Sequence, residues 1–193
     1  MAMKRRILTL LLLLTPILAM AGEPKGAPRS QVRLGWGDML FETLAFHPGT
    51  GLDGNVRSNF GYTGHIFSEY SYRLNKLISV GGELDFEGIF WHENGKPLNN
   101  YNLIAMPTIR FTYFEREWVS FYSGFGFGAV MAFDSAGNRE FALAGNLNFF
   151  SVQVGKGPWS GTFSLGALNA IKNANRVYMV GSRLFSISLN YAW

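Results

Sequence analysis

Residues 121–133 read F-Y-S-G-F-G-F-G-A-V-M-A-F, and within them Gly124-Phe125-Gly126-Phe127-Gly128 interleaves aromatic rings with bare backbone. Two physical readings compete. A phosphate-cradling glycine loop needs a helix to follow its glycines. A β-strand needs only an alternation of period two, because successive side chains leave opposite faces. No helical pattern follows here: the alternation runs on through Ala129, Val130 and Met131. The stretch therefore predicts a strand with one aromatic face (Phe121, Phe125, Phe127, Phe133) and one face nearly without side chains. In a closed sheet, Gly124, Gly126 and Gly128 would point inward and leave room for bulkier residues of other strands, with Arg110 or Trp91 as candidates.

The same period recurs along the chain. Alternating segments fall at 32–46, 62–74, 78–91, 101–114, 118–133, 141–154, 159–168 and 177–193, which makes eight. Their connections alternate too. The links 75–76, 115–117 and 155–158 are short, whereas 47–61, 92–100, 134–140 and 169–176 are longer and polar. An even number of strands, with short turns at one end and long loops at the other, is the construction of outer-membrane barrels. The expected fold is all-β, an eight-stranded antiparallel up-and-down transmembrane β-barrel, with both termini at the short-turn, periplasmic end.

The N-terminus carries Lys4, Arg5 and Arg6, then an apolar run over 7–18, then the small-residue pattern Ala19-Met20-Ala21. That is the anatomy of a secretory signal peptide, and its apolar run is shorter than the roughly 20 residues of a spanning helix. The expected layout is a signal peptide over 1–21, a flexible Pro- and Gly-containing lead-in over 22–30 and a barrel over 31–193. Of 17 Lys and Arg, three leave with the signal, so 14 bases then face 13 acids. The basic balance belongs to the targeting segment and does not argue for nucleic acid. Cysteine is absent, which excludes disulfides, a lipidated cysteine and thiol catalysis. Charged residues make up only 16% of the chain and aromatic ones another 16%. An exported, apolar chain without a spanning helix has the closed barrel as its route into a membrane.

Strand parity separates an apolar from a polar face. Val80, Leu84, Phe86 and Phe90 oppose Glu83, Asp85 and Glu87; Leu103, Ile109, Phe111 and Tyr113 oppose Asn102, Thr108, Arg110 and Thr112. A lipocalin-like soluble barrel alternates as well, with its apolar face inside. The aromatic residues favour the membrane. Tyr72, Tyr113, Trp118, Trp159, Tyr191 and Trp193 lie near the short turns, and Tyr62, Phe90, Trp91, Tyr101, Phe133 and Phe141 near the long loops. Two such bands are interfacial girdles. Two places break phase. Arg183 shares the lipid-side parity of Met179 and Phe185 unless a bulge at Gly181-Ser182 turns it inward, and strand one shifts phase at Gly37-Asp38.

The last strand, F-S-I-S-L-N-Y-A-W, places Phe185, Ile187, Leu189, Tyr191 and Trp193 at alternate positions. It resembles the C-terminal signal by which the barrel-assembly machinery recognises its clients. With eight strands, residues 31–193 resemble the small-barrel superfamily of the OmpA transmembrane domain, OmpX and OmpW. The resemblance implies a monomeric protein of the Gram-negative outer membrane in contact with lipid and lipopolysaccharide; it is one of architecture and transfers no functional residue.

The candidate site is the inside of the barrel. Glu83, Asp85 and Glu87 occupy alternate positions of one strand; Arg110 faces inward from one neighbour, and His65, Glu69 and Arg73 from the other. An eight-stranded barrel is just wide enough for side chains to fill, and charges inside must pair. The expectation is a salt-bridge plug in which Glu83 meets Arg110, helped by Tyr122, Met106 and Trp91; a narrow pore is the alternative. Small outer-membrane acyl hydrolases use His-x-Ser, but the histidines here read His47-Pro48-Gly49, His65-Ile66-Phe67 and His92-Glu93-Asn94. His65 with Glu69 and a distant Ser is the one conceivable catalytic set, and no two histidines have metal-ligand spacing. The expected role is non-enzymatic and without cofactor or metal: envelope integrity, or surface interaction through the outer loops. A small-solute channel or a lipid-modifying enzyme are the alternatives.

Overall fold

The computed structural model describes residues 28–37, 49–50, 56–57, 62–93, 96–135, 137, 139–173, 176–178 and 183–193. The barrel strands are β1 (Ser30–Gly37), β2 (Tyr62–Arg73), β3 (Ile78–Glu93), β4 (Lys96–Glu115), β5 (Val119–Asp134), β6 (Arg139–Val154), β7 (Trp159–Asn173) and β8 (Phe185–Ala192). Each pairs antiparallel with the next, and β1 pairs with both β2 and β8, so the sheet closes on itself. Closure removes the free edges that an open sheet would expose. Residues flanking the barrel lock this seam: the Trp193 carbonyl accepts from the amides of Arg29 and Ser30, both at 3.1 Å, and the Trp193 amide donates to the Ser30 carbonyl at 2.9 Å.

The strands match the alternating segments, but the long links do not all survive as loops. β3 and β4 continue to a Glu93↔Lys96 pair, leaving two residues between them instead of a loop over 92–100. β5 runs to Asp134 and β6 starts at Arg139; β7 runs to Asn173, opposite a short segment Arg176–Tyr178 that continues the line of β8. Beyond the aromatic band both faces are polar, so alternation disappears from the sequence while the backbone ladder goes on. Within 47–61 the described residues form a small hairpin, Gly49–Thr50 with Val56–Arg57. The expected phase shift at Gly37-Asp38 falls outside the described residues.

Gly124, Gly126 and Gly128 face inward, but neighbouring backbone limits their space more than residues across the lumen. A Cβ on Gly128 would sit 2.0 Å from the Ala105 carbonyl oxygen and 2.7 Å from the Met106 Cα. At Gly126 the nearest atom is a Thr108 methyl at 3.2 Å, and at Gly124 the Ile109 carbonyl oxygen at 3.4 Å. Arg110 is turned towards the Tyr122 ring instead, and the Trp91 side chain lies outside the described residues. On β6, one extra residue at Phe149 breaks register with β5 and β7. This bulge leaves consecutive Phe149 and Phe150 both exposed on the outside.

The interior is two-sided. On β4–β7, Ile104, Met106, Val130, Ala144 and Leu168 form a buried apolar cluster. Buried ionisable groups gather on β1, β2, β3 and the approach to β8, with Arg110 reaching in from β4. The outside is apolar: Leu34, Ile66, Leu84, Phe125, Phe163 and Leu189 are exposed. At the short-turn end, Tyr72, Tyr113, Trp118, Trp159, Tyr191 and Trp193 are all exposed, and Tyr191 packs on Trp159 and Trp193 with centroids 4.9 and 5.8 Å apart. At the other end, Tyr101 stacks on Phe86 at 6.3 Å and on Phe133 at 5.5 Å, and Phe141 is exposed. The side chains of Tyr62, Phe90 and Trp91 lie outside the described residues.

Candidate functional site

Antiparallel register assembles the charged side of the lumen. It aligns Arg33 with Glu69 and Glu83, Gly35 with Phe67 and Asp85, and Gly37 with His65 and Glu87. Period two turns all of them inward, and all of these side chains are buried. Glu69 and Glu83 are thus direct cross-strand neighbours of like charge, a destabilising pair unless cations intervene.

Two cations do. The Arg183 guanidinium straddles Glu83, donating to Oε1 at 2.7 Å and Oε2 at 3.1 Å, and also to Asp85 Oδ1 at 3.3 Å. Arg33 lies 3.0 Å from Glu69 Oε2 and donates to the Tyr122 hydroxyl at 2.8 Å. Arg110 also serves Glu69, at 3.1 Å to each oxygen, and donates to Gln31 Oε1 at 2.6 Å. The forked guanidinium suits this work, because one planar group satisfies two carboxylate oxygens at fixed spacing. Amides complete the set: Asn102 donates to Glu87 at 2.8 Å and Asn146 to Glu83 at 3.0 Å. His65 Nε2 lies 3.7 Å from Asp85 Oδ1.

Aromatic rings lie against the cations. Arg183 lies 4.0 Å from the Phe67 centroid and Arg33 5.1 Å from the same ring. Arg33 bonds the hydroxyl of Tyr122, and Arg110 lies 4.3 Å from that tyrosine's ring. The connected series Arg183, Phe67, Arg33, Tyr122, Arg110 therefore alternates guanidinium and aromatic groups. A cavity of about 210 Å³ at the short-turn end reaches Arg110 and Tyr122. Beyond them, the space beside Arg33, Glu69, Glu83 and Arg183 is only about 20 Å³, room for a water molecule.

Glu83, Asp85, Glu87, Arg110, His65 and Glu69 thus all lie in the lumen, but their partners differ from the expected ones. Glu83 binds Arg183, not Arg110. Register sets Glu83 beside Met106 and Arg110 beside Ser79, so Arg110 meets Glu69 instead. Arg183 is buried inside, not on the lipid side. Arg183 and Leu184 precede the β8 ladder, which begins at Phe185, so the alternation of β8 does not extend to Arg183. Arg33 and Phe67 were not singled out from sequence, although the parity opposite Val32, Leu34 and Trp36 marks Arg33, and that of His65 and Glu69 marks Phe67. Arg73 is at the short-turn mouth, where it pairs with Glu115. The set His65 with Glu69 does not form: both arginines occupy Glu69, and His65 faces Asp85 and stacks on Phe67 at 5.7 Å. Of the C-terminal residues, Ile187, Leu189, Tyr191 and Trp193 are exposed outside and Phe185 is half-buried. His47 and the side chain of His92 lie outside the described residues; His92 belongs to β3, not to a loop.

Charges inside and a continuous apolar surface outside invert the order of a soluble barrel, and two aromatic bands bound that surface. The chain is a transmembrane β-barrel of the outer-membrane type. No protein-family model and no curated protein matches it. Among solved structures it is similar to the N-terminal β-barrel domain of Pseudomonas aeruginosa OprF, at 11% identity and TM-score 0.48 over 86% of this chain and 99% of that one. It is similar to Ail of Yersinia pestis, at 14% identity and TM-score 0.44 over 85% and 94%. It is similar also to Neisserial surface protein A, at 10% identity and TM-score 0.42 over 86% and 95%. The lipid-facing assignment rests on the chain's own surface and is testable there. Leu84 is 58% exposed between the two aromatic bands, so Leu84→Lys is expected to destabilise the barrel by about 2–4 kcal/mol. Equilibrium urea unfolding in lipid vesicles measures this; an unchanged midpoint would refute it.

Proposed function

We propose that this protein is a non-conducting, non-enzymatic outer-membrane barrel that supports the cell envelope and presents its long-side hairpins for surface interaction. The observation that carries this reading is the filled lumen. Ion pairs cross it from β1, β2, β3, β4 and the approach to β8, and the space they leave is about 20 Å³. In this reading Glu69, Glu83, Asp85, Glu87, Arg110 and His65 belong to a plug, enlarged by Arg33 and Arg183, that rigidifies the wall. Export follows the N-terminal signal, the C-terminal residues Phe185 to Trp193 serve assembly, and the barrel works as a monomer in contact with lipid and lipopolysaccharide. A small-solute channel has one observation in its favour, the vestibule of about 210 Å³ open at the short-turn end. Planar-bilayer recording of the folded full chain tests the choice: the plug predicts a silent membrane, and regular unitary steps from the wild-type chain would overturn it.

A further inference from the structure

The geometry points to Phe67 as the positioning residue of the lumen, the ring that holds Arg33 and Arg183 in place and closes the passage at its level. This inference rests on the non-conducting reading. Phe67 is a large apolar side chain, 3% exposed, in the middle of the charged half. On its own strand it interrupts an inward ionic run between His65 and Glu69. Both guanidiniums that serve the acids of β2 and β3 at this level lie on it, Arg183 at 4.0 Å and Arg33 at 5.1 Å. Its backbone partner on β1 is Gly35, and the missing side chain there is what admits the ring: a Cβ on Gly35 would meet Phe67 Cζ at 2.2 Å. Wall and ring are therefore fitted to each other.

The physical role is positioning. Arg183 neutralises Glu83 and Asp85, and Arg33 neutralises Glu69. Without the ring, two like-charged guanidiniums and three carboxylates would lack this fixed contact and could exchange partners. An aromatic face attracts both cations through its quadrupole, more strongly where water is excluded, and being apolar it offers no third ionic partner. It also supplies bulk that salt bridges alone lack.

The test uses the full chain with Phe67→Ala and Phe67→Leu, each checked for heat-shifted migration on a gel and recorded in planar bilayers beside the wild type. The expected result is a silent wild type, resolvable unitary steps from Phe67→Ala, and brief flickering openings from Phe67→Leu, which keeps apolar bulk but has no aromatic face. A folded Phe67→Ala as silent as a silent wild type overturns this inference and leaves the non-conducting reading standing. Phe67→Leu indistinguishable from wild type overturns the positioning role, since bulk alone would then suffice. Failure of both variants to fold also overturns it, because the ring would then be an assembly requirement. Steps from the wild type overturn both readings together.

Discussion

Replacing Gly128 with alanine is expected to abolish the heat-resistant folded barrel, while the same change at Gly124 leaves it intact. Both glycines come from the aromatic and glycine alternation of β5, and their side chains would point the same way. They differ in what stands opposite. A Cβ at Gly128 would enter the backbone of β4, 2.0 Å from Ala105 O and 2.7 Å from Met106 Cα, neither of which is the free end of a flexible side chain. Overpacking a well-filled site usually costs about 1–3 kcal/mol, and here relief requires two hydrogen-bonded strands to separate. At Gly124 the nearest atom is at 3.4 Å and the next at 3.6 Å, close to ordinary contact. Alanine there also restricts the unfolded chain, a gain of about 0.4–1 kcal/mol where the backbone tolerates it. Gel migration before and after heating, with urea midpoints, measures both; equal midpoints for the two variants would sink the argument.

The second large effect concerns Arg183. Arg183→Met should destabilise the barrel by about 3–5 kcal/mol, because it leaves a buried carboxylate without its cation. The buried groups concerned are Glu83 and Asp85, both within 3% exposure. Combining Arg183→Met with Glu83→Gln should recover much of the loss, since replacing both members of a buried pair is often close to neutral. Asp85 keeps the recovery incomplete, because it too loses the guanidinium; His65 Nε2 remains 3.7 Å from it. Urea unfolding of the two single variants and the double variant forms a cycle, and strictly additive losses would show that Glu83 and Arg183 are not coupled.

Arg183 also illustrates how far the sequence reads. The acids Glu69, Glu83, Asp85 and Glu87 were legible as lumen groups because parity is local: each is two residues from the next inward position on its strand. Their partners were not legible. Glu83 and Arg183 are 100 residues apart, and they meet because the barrel brings the approach to β8 across from β3. Arg183 lies just before the β8 ladder, outside its strict alternation, and is turned inward. Loop lengths failed for a related reason. Alternation reports a contrast between two environments, and beyond the aromatic bands that contrast vanishes while the strands of 92–100 continue to pair. Apart from Met106, the apolar half of the lumen was hidden likewise, since the run Leu103-Ile104-Ala105-Met106 is apolar on both faces and gives little contrast.

The sequence by itself determined the number of barrel strands, their order, the short-turn end and the inward set of acids, because these follow from a two-residue period and from turn chemistry. The tertiary structure decided who neutralises whom, where the hairpins end, why Gly128 and Gly35 tolerate no side chain, and that Phe67 meets two arginines. The reason is one of range. Period and turns are set by neighbours along the chain, whereas stagger and closure bring together groups that no local pattern relates, and the inside of a barrel is made of such meetings.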